Sequence, residues 1–87
     1  MTNITVDMLT SEGCHNCAKF MEFWKPIHGE WPNVTFRELD ITTPDGQELV
    51  QKHMIMASPG LVINGELFST GGVNTDEFLT KLKELSQ

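Results

Sequence analysis

Two residues in this chain of 87 stand out for the chemistry they can do: Cys14 and Cys17, its only cysteines. They fall in the stretch Glu12-Gly13-Cys14-His15-Asn16-Cys17-Ala18-Lys19-Phe20. A β-like run, Ile4 to Leu9, leads in, and a helix-like run, Cys17 to Trp24, leads out. A Cys-x-x-Cys pair at a strand-to-helix junction is first of all a redox motif. The opening N–H groups of a helix lack partners within it, and the aligned peptide dipoles place partial positive charge there. A thiolate is stabilised in that position, so the Cys14 thiol is expected to ionise below the ~8.5 of a free cysteine. The thiolate is the species that attacks a disulfide. Residues three apart share a helix face, and helical spacing at that offset suits the Cα separation of a disulfide, roughly 4.4–6.8 Å. Cys14 is therefore read as the exposed nucleophile. Cys17, deeper in the helix, resolves the mixed disulfide.

The same two sulfurs suit a metal. A four-ligand zinc site needs two more Cys or His, and His15, His28 and His53 show no second zinc-like spacing. The sharper rival is a non-catalytic carrier that holds copper(I), or zinc, between the two thiolates. The strand–helix context favours redox chemistry with no bound metal.

The rest of the chain must position this pair. Eighty-seven residues are read as one domain, 1–87, with one core. Net charge is −6, from 12 acidic and 6 basic residues, without a basic cluster. That argues against nucleic acid or an anionic membrane as partner. Met1-Thr2-Asn3 lacks the charged start of a signal peptide, and no apolar run reaches the ~20 residues of a membrane span. A cytoplasmic monomer is expected, a setting in which a cycling disulfide is commoner than a structural one.

Thr2 to Leu9 reads as a strand, with Ile4, Val6 and Met8 on one side. Cys17, Phe20, Met21, Trp24 and Ile27 then follow a helical period, which Pro26 and Gly29 kink or end. Val34 to Leu39 is a second strand. Thr43-Pro44-Asp45 starts a helix reaching about His53, with Thr43 as cap and Pro44 at the first position. Asn64-Gly65 is a hairpin signal joining Leu61–Ile63 to Glu66–Ser69. Asn74 with Glu77 three residues on caps a last helix, whose apolar stripe is Phe78, Leu79, Leu82 and Leu85. The order βαβαββα implies a parallel first pair, two antiparallel strands added by the hairpin, and a mixed four-stranded sheet flanked by three helices.

Three features in this order resemble the thioredoxin superfamily, and within it the short glutaredoxin-like branch. They are Gly13-Cys14-His15-Asn16-Cys17 after the first strand, Ser58-Pro59 before the third, and Gly71-Gly72 ahead of the last helix. The resemblance covers nearly the whole length and implies an α/β, thioredoxin-like fold. It also implies a disulfide oxidoreductase of glutaredoxin or thioredoxin type, working in electron transport and cell redox homeostasis. In that family the proline is cis and faces the cysteines. The backbone of Ser58 would pair with an extended substrate segment. Substrate-binding positions would be Ser58, Pro59, Gly71, Gly72, Asn74 and Thr75, the last four standing where glutaredoxins hold glutathione. The helix start there would receive the peptide's carboxylate. The substrate would be a disulfide in a protein or a small thiol compound. Glutathione or a reductase protein would restore the dithiol. The chain departs from the glutaredoxin pattern in three places: His15-Asn16 replaces Pro-Tyr, no basic residue precedes the motif, and Ala57-Ser58-Pro59 replaces Thr-Val-Pro. It departs from thioredoxins in having Gly13, not Trp, before Cys14.

Other residues carry two readings each. His15, if protonated, would modulate the thiolate and make the disulfide more oxidising; otherwise it is exposed polar surface. Asp7 is a proton carrier for Cys17 or, more ordinarily, a solvent-facing acid. Met54, Ile55 and Met56 form an apolar rim beside the thiols, or core. Lys19 raises the local positive potential near the thiols or, more ordinarily, is solvated helix surface; His28 and His53 are read as surface. Phe20, Trp24, Phe36, Phe78 and Leu82 are read as core.

Overall fold

A computed structural model describes residues 2–87. The elements are β1 (Ile4–Thr10), α1 (His15–Ile27), a 3-10 turn (His28–Glu30), β2 (Val34–Asp40), α2 (Pro44–His53), β3 (Gly60–Ile63), β4 (Glu66–Thr70) and α3 (Thr75–Leu85). This is the βαβαββα order expected. β1 begins two residues later than the alternation suggests. Its pairing with β2 starts at Ile4↔Val34 and ends at Thr10↔Asp40, and the Ile4 N–H donates to the Asn33 carbonyl at 2.8 Å.

The sheet order is β2-β1-β3-β4. β1 runs parallel to β2 and antiparallel to β3, which pairs antiparallel with β4. Asn64 and Gly65 turn the hairpin with φ of 51° and 81°, the left-handed pair that a two-residue turn between twisted strands requires.

Strand alternation splits the apolar residues between two faces. Ile4, Val6 and Met8 of β1 join Leu61 and Ile63 of β3 under α1 and α3, packed with Cys17, Phe20, Trp24, Phe78 and Leu82. Leu9 and Val62 point the other way and pack with Leu49 of α2 and with Ile55. Phe78 is the hub of the first cluster, edge-on to Phe20 at 5.1 Å and to Trp24 at 5.5 Å between ring centroids. Side chains of this size, fully withdrawn from water, each contribute about 2–3 kcal/mol. Phe36 is only half-buried, because β2 is the edge strand on that side.

The caps agree with the sequence reading. The Thr43 hydroxyl accepts from the Gly46 N–H at 3.1 Å, and Asn74 Oδ1 accepts from the Glu77 N–H at 3.1 Å. α1 runs one residue past Pro26, and Gly29 lies in the 3-10 turn that follows. His28 and His53 are half-buried, not plain surface; the His28 ring stacks on Trp24 at 4.9 Å, because the His28 N–H still bonds the Trp24 carbonyl and residues four apart share a helix face. The Met54–Met56 run divides. Ile55 is core at 4% exposure, while Met54 and Met56 stand out at 79% and 92%. Among the described residues no helix is long and apolar enough to cross a membrane.

Candidate active site

Cys14 is the N-cap of α1, with extended backbone, and its sulfur accepts from the Cys17 N–H at 3.2 Å. A helix cap ordinarily uses a Ser, Thr, Asp or Asn oxygen for this bond. Here sulfur takes that place, so one otherwise unpartnered N–H points at Sγ from the positive end of the helix dipole. Both effects favour a thiolate over a thiol on that atom. No acidic residue lies in the first turn of α1 to oppose them.

Cys14 and Cys17 are joined as a disulfide with a Cα–Cα separation of 5.3 Å. The two sulfurs sit in different surroundings. Cys17 is 6% exposed within the main core cluster, whereas Cys14 is half-buried and packs only against its edge. Cys14 is thus the more accessible of the two sulfurs, with Cys17 on its interior side.

Three loops converge on this helix start. The Ser11 and Ser58 hydroxyls lie 2.7 Å apart and share a hydrogen bond, tying the loop before Cys14 to the residue before Pro59. The Ser58–Pro59 peptide bond is cis, as the resemblance implies. The Gly71 N–H donates to the Pro59 carbonyl at 3.0 Å, and the Gly71 carbonyl accepts from the Asn16 side-chain amide at 2.8 Å. A closed path thus runs from the Cys-x-x-Cys helix through the glycine pair and the proline loop back to Ser11. Gly72 and Asn74 are exposed and Thr75 is half-buried on the continuation of that loop into α3. Asn74 spends its side-chain oxygen on its own helix, whose first turn carries Asp76 and Glu77.

Sequence reading missed two members of this path. Ser11 entered only as the absence of a basic residue, and Asn16 only as a departure from Pro-Tyr. Their partners lie 47 and 55 residues away, and no local pattern marks such pairs.

Asp7 proves to be an ion-pair residue. It lies opposite Arg37 in the β1–β2 register, and the guanidinium donates to both carboxylate oxygens at 2.8 and 3.1 Å. The hydrogen bond and charge of Asp7 hold Arg37 above its usual range. The carboxylate, on the opposite face from Cys17, is engaged across the strands. His15 and Lys19 are exposed. Among the described residues, no group of three or more His, Cys, Asp or Glu side chains converges as a metal cage. A recess of about 270 Å³ between β4 and α3, lined by Phe68, Asp76, Glu77, Thr80, Lys81 and Glu84, contains neither cysteine.

A mixed four-stranded sheet, three helices, a redox pair at a helix start and a cis-proline before β3 define a thioredoxin-like protein. The family model described as "Thioredoxin domain" matches residues 2–84, and the chain belongs to that family. Among solved structures it is similar to Fasciola hepatica thioredoxin, at 20% identity and a TM-score of 0.74, covering 95% of this chain and 81% of that one. It is likewise similar to oxidised thioredoxin O2 of Arabidopsis thaliana, at 19% identity and 0.76, covering 99% and 77%. A third is the N-terminal domain of the alkylhydroperoxide reductase AhpF of Enterococcus faecalis, at 24% and 0.75, covering 94% of this chain and 39% of that one. These likenesses show the fold. No curated protein matches the sequence. The thioredoxin domain together with the Cys14–Cys17 pair at disulfide distance supports thiol–disulfide oxidoreductase chemistry.

Proposed function

We propose that this protein reduces disulfides by a two-cysteine exchange, with a reductase protein as its electron donor. The Cys17 N–H bond to Cys14 Sγ carries the reading, because a donor aimed at that sulfur favours negative charge on it and so supports Cys14 as the attacking thiolate. That thiolate attacks a substrate disulfide. A new S–S bond forms to Cys14, and the first substrate sulfur leaves as thiolate and takes up a proton. Cys17 then loses its proton and attacks Cys14 Sγ. The second substrate sulfur leaves, two electrons have passed to the substrate, and the Cys14–Cys17 disulfide remains.

The accessible face of the converging loops is the substrate platform: half-buried Ser58 offers backbone to an extended segment, Pro59 is buried behind it with its carbonyl taken by the Gly71 N–H, and Gly71, Gly72, Asn74 and Thr75 lie at its flank. The α3 start suits a glutathione carboxylate poorly. Asn74 already caps it, and Asp76 and Glu77 place negative charge where an anion would sit. This favours a protein donor over glutathione. One solved neighbour is a complex of ferredoxin:thioredoxin reductase with thioredoxin f2, at 16% identity and a TM-score of 0.75, in keeping with that choice. The reading sets a monomer in the reducing cytoplasm, with His15 as an exposed modulator of the couple.

The test is turnover of a model protein disulfide with dithiothreitol as donor. Activity that disappears in Cys14→Ser supports the proposal. Stoichiometric copper(I) or zinc uptake without turnover supports a carrier. The rate of re-reduction of the Cys14–Cys17 disulfide, measured with glutathione and with a reductase protein, decides the donor: a glutathione-specific rate enhancement would return the protein to the glutaredoxin type.

A further inference from the structure

Met54 and Met56 depart from local preference, Met56 by its exposure and Met54 by exposure and backbone together. They are the most exposed of the large apolar side chains, at 79% and 92%, where Ile41 and Leu67 reach only 40% and 43%. Met54 also occupies the left-handed position that ends α2, with φ of 53°, a place that glycine or asparagine fills at lower cost. Residues held against local preference cluster at functional surfaces.

Both are presented firmly. Ile55 between them is sunk in the second core cluster, and its N–H donates to the Val50 carbonyl at 3.2 Å. The segment runs straight into the site. A Cβ on Gly71 would lie 3.6 Å from the Ala57 methyl, and Ser58 bonds to Ser11. The other two described methionines are protected, Met8 fully buried and Met21 half-buried.

We propose that Met54 and Met56 are an oxidation site that controls access of protein disulfides to Cys14. This rests on the oxidoreductase reading above. Unmodified, the two thioethers form a soft apolar ledge on which a protein substrate lies. A peroxide converts each to sulfoxide: sulfur attacks one peroxide oxygen, the O–O bond breaks, an S–O bond forms, and the second oxygen leaves as water. Sulfur loses two electrons and the peroxide gains them. The ledge becomes polar, and the protein substrate loses its footing. A small disulfide, which needs only Cys14, is unaffected. While the Cys14–Cys17 disulfide is closed, neither sulfur is a thiolate, so peroxide acts on the methionines first.

The experiment treats the oxidised full chain with hydrogen peroxide and maps the added oxygen by peptide mass. Peroxide is then removed and dithiothreitol-driven turnover is measured with insulin and with hydroxyethyl disulfide. Oxygen is expected at Met54 and Met56 ahead of Met8 and Met21. KM for insulin should rise about five-fold, the scale of one apolar contact exchanged for a polar one, with kcat held. Hydroxyethyl disulfide kinetics should not move. In the double variant Met54→Leu, Met56→Leu, the insulin KM, whatever its starting value, should not respond to peroxide. Oxygen appearing first at Met8 or Met21 overturns the site. So does an unchanged insulin KM with both sulfoxides formed, or an equal response in the double variant. Absence of turnover with either disulfide before peroxide overturns the oxidoreductase reading instead, and the control of access with it; the mass map then still decides the oxidation site.

Discussion

The side-chain amide of Asn16 donates to the Gly71 carbonyl oxygen at 2.8 Å, joining the second residue of α1 to the loop that precedes α3. A residue between the two cysteines thereby holds the start of α1 against the loop that leads into α3. The same Gly71 donates to the Pro59 carbonyl, so a single glycine connects the helix start and the proline loop.

Asn16→Ala should lower stability by about 0.5–1 kcal/mol, the net value of an exposed hydrogen bond. Urea unfolding of the oxidised protein measures it. An unchanged midpoint and slope would mean that the amide bond contributes nothing in solution.

Gly46→Ala should destabilise, against the helix scale. Alanine in a helix is ordinarily favoured over glycine by about 1 kcal/mol. Here a Cβ would fall on the carbonyl oxygen of Asp40, which is backbone and cannot swing aside. The expected net loss is about 1–3 kcal/mol, by analogy with overpacked sites. A stabilised variant in thermal or urea unfolding would show that α2 can move away from the end of β2.

Acid should weaken the fold partly through Asp40. Its carboxylate accepts from the Thr42 hydroxyl at 2.6 Å and the Thr42 N–H at 2.8 Å, and these bonds hold it below the usual carboxylate range. A group depressed in the folded state contributes stability above its unfolded value, and that contribution is lost as pH falls through the folded one. Thr42→Val removes the hydroxyl donor and leaves the N–H. The variant's unfolding free energy should fall less steeply with acid than the parent's. Parallel slopes would remove Asp40 from the acid response.

Cys17→Ser should leave Cys14 able to attack and unable to be released. Challenge with a disulfide substrate should accumulate a covalent adduct through Cys14, visible on a non-reducing gel and cleared by dithiothreitol, while multiple turnover falls to background. Cys14→Ser, which keeps Cys17, should form little adduct under the same challenge. Equal adduct yield in the two variants would mean that Cys14 is not the preferred attacking sulfur.

What could be read without coordinates depends on interactions within one helical turn. The Thr43 and Asn74 caps, Pro44 at a helix start, the Asn64-Gly65 hairpin and the Cys14–Cys17 spacing each express a preference that near neighbours enforce. The element order followed from these, and the cis-proline from family resemblance. Tertiary structure alone decided the rest. β1 lies between β2 and β3, so the loop leaving β1 meets the loop entering β3, and Ser11 finds Ser58 across 47 residues. The same ordering sets Asp7 opposite Arg37, and the packing of Ile55 against Leu9 and Val62 leaves its two methionine neighbours in water. A side chain's type states what it can bond. Which partner it meets is settled only when the sheet chooses its neighbours.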